Sequence, residues 1–152
     1  MKGFTLVKNT KLIELPHWDN DTGSLVAIEA GYTVPFGFER MYYIFDTSEG
    51  AHRGFHSHRE LQQLLICTHG SVDILLDDGS TRETVRLESP LTGLIVGPMV
   101  WREMLNFENQ AVLTVLASRH YDEADYIRDY DAFKAEALAF FSKVDKEEGA
   151  DE

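Results

Sequence analysis

Two histidines, His56 and His58, stand one residue apart in the stretch RGFHSHRELQQLL, Arg53 to Leu65. In a strand, that spacing sets both imidazoles on one face. Such a pair can hold a metal, move a proton near neutral pH, or fill space as satisfied core groups. Gly54 frees the backbone just before the pair, and Arg53, Gln62 and Gln63 add polar capacity beside it. A β-barrel whose inward face carries polar groups usually encloses a ligand, because buried polar side chains need partners.

Charge narrows the ligand. The chain has 26 acidic against 14 basic residues, a net charge of −12, and that field repels nucleic-acid backbones and anionic membranes. An anionic small ligand therefore needs locally gathered arginines, which makes Arg40, Arg53 and Arg102 more informative than the sum of charges. The single cysteine, Cys67, excludes an intramolecular disulfide and a multi-thiolate metal site. No apolar run approaches the roughly 20 residues that span a bilayer, and MKGFTLVKNT lacks the apolar region of a signal peptide. The expectation is a cytoplasmic protein.

The elements that must position these residues read as strands. Short β-branched and aromatic runs such as TLVKNTKLIEL, SLVAIEA, RMYYIFD, SVDILLDD, LTGLIVGP and AVLTVLAS are separated by Gly, Asp, Asn or Pro. Their spacing, on the order of 8–12 residues, is that of an all-β sandwich or barrel. ILLDDGSTRETVRL predicts a hairpin, since Asp-Gly suits the positive φ of a tight turn. After Ser118 the pattern changes: Tyr126, Tyr130, Phe133, Ala137 and Phe140 fall at helical spacing, with Asp122 or Asp125 available as a cap. One or two helices should lay that aromatic stripe on the barrel as core packing. One domain is expected over residues 1–141, with 142–152 as an acidic, disordered tail.

The histidine pair with the later GPMVWREMLNF resembles the two signature stretches of the cupins, small double-stranded β-helix barrels. In metal-binding cupins the first stretch adds a glutamate and the second a third histidine. Here those positions read Gln62 and Gln63, and Arg102. An amide is a poor ligand for a divalent cation and a guanidinium is none, so no metal and no cofactor are expected.

RGFHSH, GPMVW and YDEADYIRDYDAF, within a likeness running from about Ser24 to Phe133, resemble the TDP-4-keto-6-deoxyglucose 3,4-ketoisomerases, WxcM-like cupins. The resemblance implies transfer of the keto group of a TDP-linked 4-keto-6-deoxy sugar from C4 to C3, feeding the synthesis of 3-amino-3,6-dideoxy sugars. It implies His56 and His58 as catalytic residues, with His56 as the base at C3 and His58 assisting proton movement. Arg40 and Arg53 are expected on the diphosphate, where a guanidinium binds bidentately. Tyr42 shares a strand face with Arg40. Gln63 and Trp101, with Arg102 and Glu103 beside it, complete the expected substrate contacts. The resemblance further implies a homodimer with exchanged N-terminal strands. Thr22 and Arg102 depart from many relatives, so the C4 configuration of the product, galacto or gluco, stays open. A cofactor-independent epimerase and a non-catalytic sugar-nucleotide-binding cupin are the alternatives.

Overall fold

The computed structural model describes residues 5–150. Its strands are β1 (Thr10–Glu14), β2 (His17–Asn20), β3 (Gly23–Val26), β4 (Arg40–Ile44), β5 (Arg53–His58), β6 (Gln63–Asp77), β7 (Arg82–Leu87), β8 (Thr92–Val96), β9 (Trp101–Ala117) and β10 (Tyr126–Ile127). One helix, α1 (Tyr130–Ala150), follows them. The sheet runs β1-β8-β6-β9-β5-β10, with β4 also on β9 and β7 also on β6. Every pairing between these strands is antiparallel. The expected β domain with a C-terminal helix is therefore present, the sheet curling on itself.

The 15-residue β6 and the 17-residue β9 form the spine. Each pairs with the other along its length and divides its free edge between two further strands. On β9, Arg102 and Met104 meet β5, while Leu113 to Ala117 meet β4. Both faces of the spine are apolar. Leu65 and Cys67 enter one buried cluster with Ile74, Leu94, Val100, Met104 and Leu113, whereas Leu64 and Ile66 pack with Leu15, Val34 and Phe36. Period-two alternation performs that sorting, so strand parity decides which side chains reach the interior.

The predicted hairpin is β6–β7. Its turn is closed by Asp78, whose Oδ1 accepts from the Ser80 and Thr81 N–H groups at 2.8 Å, and Gly79 sits at φ 93°.

The helical segment differs from the expectation in three ways. Tyr126 is not helical; it lies on β10, opposite His58 of β5. Asp129 caps α1, its carboxylate accepting from Ala132 N at 2.9 Å, while Asp122 caps a short 3-10 turn over Glu123–Asp125 and Asp125 turns inward. Residues 142–150, expected as a disordered tail, continue α1, and 151–152 lie outside the described residues. Phe133, Ala137 and Phe141 bury the helix against Met99, Trp101 and Ile127 as core packing.

Candidate active site

β5 carries the histidines, and its local geometry departs from a plain strand. Arg53 pairs with Met104 and Gly54 with Glu103, but Arg102 faces His56, so one residue, Phe55, is extra. Phe55 has φ 58°, a costly conformation for a bulky side chain, and Gly54 has φ 93°. This β-bulge has a chemical result. Arg53 and His56, three residues apart, would face opposite ways on a regular strand; the extra residue turns both toward the same cleft.

That cleft has a volume of about 430 Å³ and is lined by Arg40, Tyr42, Arg53, His56, Tyr121, Tyr126 and Arg128 among others. Its size is that of a small-molecule site. A larger recess of about 600 Å³, lined by Phe45, Asp46, His69, Phe107 and Gln110, lies away from the histidine pair. The smaller cleft is the candidate because the titratable groups converge there.

The two histidines are not equivalent. His56 lines the cleft, and its Nδ1 is buried with no hydrogen bond among the described residues, which leaves Nε2 as the ring nitrogen available to the cleft. His58, 1% exposed, stands behind it with the ring centroids 4.9 Å apart and edge-on. Tyr126 packs against both, at 5.1 Å from His56 and 4.2 Å from His58. Burial, followed by the positive field of Arg102, pushes the His56 imidazole down to about 3 and that of His58 further still. Both rings are neutral at physiological pH.

Arg102 itself is fully buried. Its Nη1 donates to Gln63 Oε1 at 2.6 Å, and its Nε and Nη2 donate to Val100 O. Gln63 Nε2 in turn donates to the Tyr42 hydroxyl at 3.1 Å. Since that hydroxyl accepts here, its own proton is left to point elsewhere. Burial raises the Tyr42 pKa, against a lowering pull from Arg102, so the phenol stays protonated. This donor set does not fit a divalent cation: a guanidinium and an amide occupy the interior where a metal-binding cupin needs a carboxylate and an imidazole.

Of the eight arginines, five form ion pairs with carboxylates: Arg59, Arg82, Arg86, Arg119 and Arg128. Among the described residues, Arg40, Arg53 and Arg102 do not. Arg40 instead lies 5.4 Å from the Tyr42 ring and 5.8 Å from that of Tyr121. In a chain this acidic, two cleft guanidiniums with no carboxylate partner among the described residues leave their charge available to an anion.

The structure thus brings Arg40, Tyr42, Arg53 and His56 to one cleft. Gln63 and Arg102 lie beneath it and brace Tyr42. Trp101 and Glu103 go elsewhere: they alternate with Arg102 on β9, so they face outward. There the Trp101 ring packs edge-on against Tyr130, and Glu103 accepts from Trp101 Nε1 at 2.8 Å and contacts His52 Nε2 at 2.9 Å. Sequence reasoning missed Tyr126 and Arg128. Tyr126 opens β10 and Arg128 follows just past its end, two residues on, a period hidden because Tyr126 also matched the helical stripe.

Residues 8–137 match the FdtA family (WxcM-like, C-terminal). The chain is 50% identical over 124 residues to TDP-4-oxo-6-deoxy-alpha-D-glucose-3,4-oxoisomerase of Aneurinibacillus thermoaerophilus, covering 82% of this chain and 89% of that one. QdtA, a sugar 3,4-ketoisomerase from Thermoanaerobacterium thermosaccharolyticum solved in complex with TDP, superposes with a TM-score of 0.87 at 43% identity, over 90% of this chain and 99% of that one. The WlaRB TDP-quinovose 3,4-ketoisomerase of Campylobacter jejuni gives a TM-score of 0.82 at 47% identity, over 85% and 99%. With a shared cupin-type barrel and a match spanning most of its length, the chain belongs to the FdtA family, an enzyme family of sugar-nucleotide 3,4-ketoisomerases and hence of intramolecular oxidoreductases.

Proposed function

We propose that the protein converts TDP-4-keto-6-deoxyglucose to its 3-keto isomer by metal-independent proton transfer at His56. The observation that carries this is His56 lining a cleft together with Tyr42 and two guanidiniums, Arg40 and Arg53, that have no carboxylate partner among the described residues. Arg40 and Arg53 hold the diphosphate. The C4 carbonyl acidifies the C3–H bond, and His56 takes that proton as the C3=C4 enediolate forms. Tyr42, held by Gln63 and the buried charge of Arg102, donates toward O4 as negative charge develops there. The O3 hydroxyl gives up its proton to the phenolate, and the His56 imidazolium delivers a proton to C4. The products are a C3 ketone and a C4 alcohol, with no net electron gained or lost. Burial first, and then the fields of Arg102 and Arg128, hold His56 down in the resting enzyme, and the negative diphosphate opposes the second of these.

The 47% identity to an enzyme for TDP-quinovose, a gluco-configured sugar, supports a gluco product. The 3-keto sugar then suits an aminotransferase making 3-amino-3,6-dideoxy sugars in the cytoplasm. Among the described residues no helix is long and apolar enough to cross a membrane.

The test is incubation with TDP-4-keto-6-deoxyglucose in D₂O, followed by NMR. A 3-keto sugar with deuterium at C4, formed equally in EDTA, is expected. Recovery of the 4-keto sugar inverted at C3 or C5 would make the protein an epimerase, and binding of TDP without turnover would make it a binding module.

A homodimer belongs to the same reading. Among the described residues the β2–β3 ribbon pairs with no other strand, and Trp18 and Leu25 on it are 60% and 58% exposed. β4 is an edge strand whose outer face exposes Met41 and Tyr43. Exchange of ribbons between two copies would cover both apolar surfaces. Sedimentation should give a dimer mass, reduced to monomer by Trp18→Asp with Leu25→Asp; a monomeric unmodified chain rules the exchange out.

A further inference from the structure

One buried group has no role in the proton path as described so far. Asp125, 9% exposed, places Oδ2 at 3.4 Å from His58 Nδ1. The contact is at ion-pair distance but outside hydrogen-bond alignment, and neither nitrogen of His58 makes another hydrogen bond among the described residues. Asp125 is held rigidly. Its Oδ1 accepts from Glu60 N at 2.8 Å, its Oδ2 from Leu61 N at 3.3 Å, and its backbone carbonyl from Arg59 N at 3.0 Å. The loop joining β5 to β6 therefore aims this carboxylate at the back of the histidine pair.

A neutral imidazole has one N–H and one bare nitrogen, and the partner of one decides the state of the other. With a carboxylate at Nδ1, His58 keeps its proton there, and its Nε2 becomes an acceptor. The buried ring nitrogens still unmatched are then His58 Nε2 and His56 Nδ1, on adjacent edge-on rings. They match if His56 also carries its proton on Nδ1. That tautomer leaves a lone pair on His56 Nε2, the ring nitrogen available to the cleft.

We propose that Asp125 is a positioning residue which, through His58, fixes the tautomer that lets His56 Nε2 accept a proton. The inference rests on His56 being the base. It gives His58 the role of a link rather than of a group touching substrate.

The test uses the full chain labelled with ¹⁵N-histidine and long-range ¹H–¹⁵N correlation spectra, which distinguish the tautomers. Both His58 and His56 should carry their proton on Nδ1. In Asp125→Asn, Oδ1 keeps its 2.8 Å bond from Glu60 N, and the amide NH₂ takes the Oδ2 position facing His58, giving up the longer 3.3 Å bond from Leu61 N. Its N–H then donates to His58 Nδ1, which moves the proton to Nε2 on His58 and, in sequence, on His56. kcat should fall on the order of 10²-fold, the low end of what a positioned acid–base group supplies, with the KM and the Kd for TDP little changed. A proton on Nε2 of His58 in the unmodified protein overturns the proposal, and so does an Asp125→Asn enzyme with unchanged kcat. If Asp125→Asn does not fold, the unmodified spectrum decides alone. If the unmodified protein has no ketoisomerase turnover, the functional reading fails while the spectrum still decides the Asp125–His58–His56 link.

Discussion

His56→Asn is expected to lower kcat by about 10⁴-fold, the upper end of what a general acid–base group supplies, because one imidazole serves both carbon centres. Affinity for TDP should be unchanged, since Arg40 and Arg53 remain. His58→Asn should cost less, its ring lying behind the cleft rather than in it. The same residue sets a pH signature. The resting imidazole is held down to about 3, so kcat/KM, which reports the free enzyme, should not show an acid limb near the usual histidine value of about 6.5. The sign for stability follows by linkage. Between about 3 and 6.5 the unfolded chain binds a proton at this position that the folded chain does not, so stability is complete above about 6.5 and falls as pH drops toward 3. Thermal melts of His56→Asn should lose part of that slope. Retention of most turnover in His56→Asn would remove the residue from the mechanism.

Gly54→Ala carries the second large effect, and it acts through the backbone. A Cβ at Gly54 would sit 2.8 Å from Arg102 O and 2.9 Å from Met104 Sδ, on a backbone at φ 93° that a side chain rarely adopts. The backbone oxygen belongs to the paired strand and cannot yield without disturbing the ladder. A loss of about 2–4 kcal/mol is expected from the combined strain and overpacking. Relief of that strain would unwind the bulge at Phe55 and swing His56 from its place, with kcat falling about 10²-fold. Gly31→Ala is the control: φ is 78°, but nothing lies within 4 Å of the added carbon, so only the conformational cost of about 1 kcal/mol applies. Urea denaturation of both variants decides the matter; a Gly54→Ala protein as stable as Gly31→Ala would mean that the bulge tolerates a side chain.

Much of this site was legible before any coordinates. Period-two spacing put His56 and His58 on one strand face, and the arginines singled out from an acidic composition are the three without carboxylate partners among the described residues. The residue types at Gln63 and Arg102 already argued against a divalent cation, although the hydrogen bond between them was not legible. What stayed hidden depends on registers set by distant strands. The bulge at Phe55 exists because β5 must meet both Met104 and Arg102 on β9, and no local pattern in RGFHSH announces the extra residue. Trp101 was placed by adjacency to Arg102, but alternation sends neighbours to opposite faces, and α1 claims the outer one. Tyr126 matched the helical period as well as the strand period, and only its pairing with His58 decides between them. Asp125 read as a helix cap because its inward contacts come from Glu60 and Leu61, far away in sequence.

The two walls of the cleft have a common origin. Arg53 and His56 stand on β5, Arg40 and Tyr42 on β4, and both strands hang from the same edge of β9. The cleft is therefore a caliper whose jaws are joined by one uninterrupted length of backbone, and its opening is fixed by how that single strand bends between Met104 and Leu113.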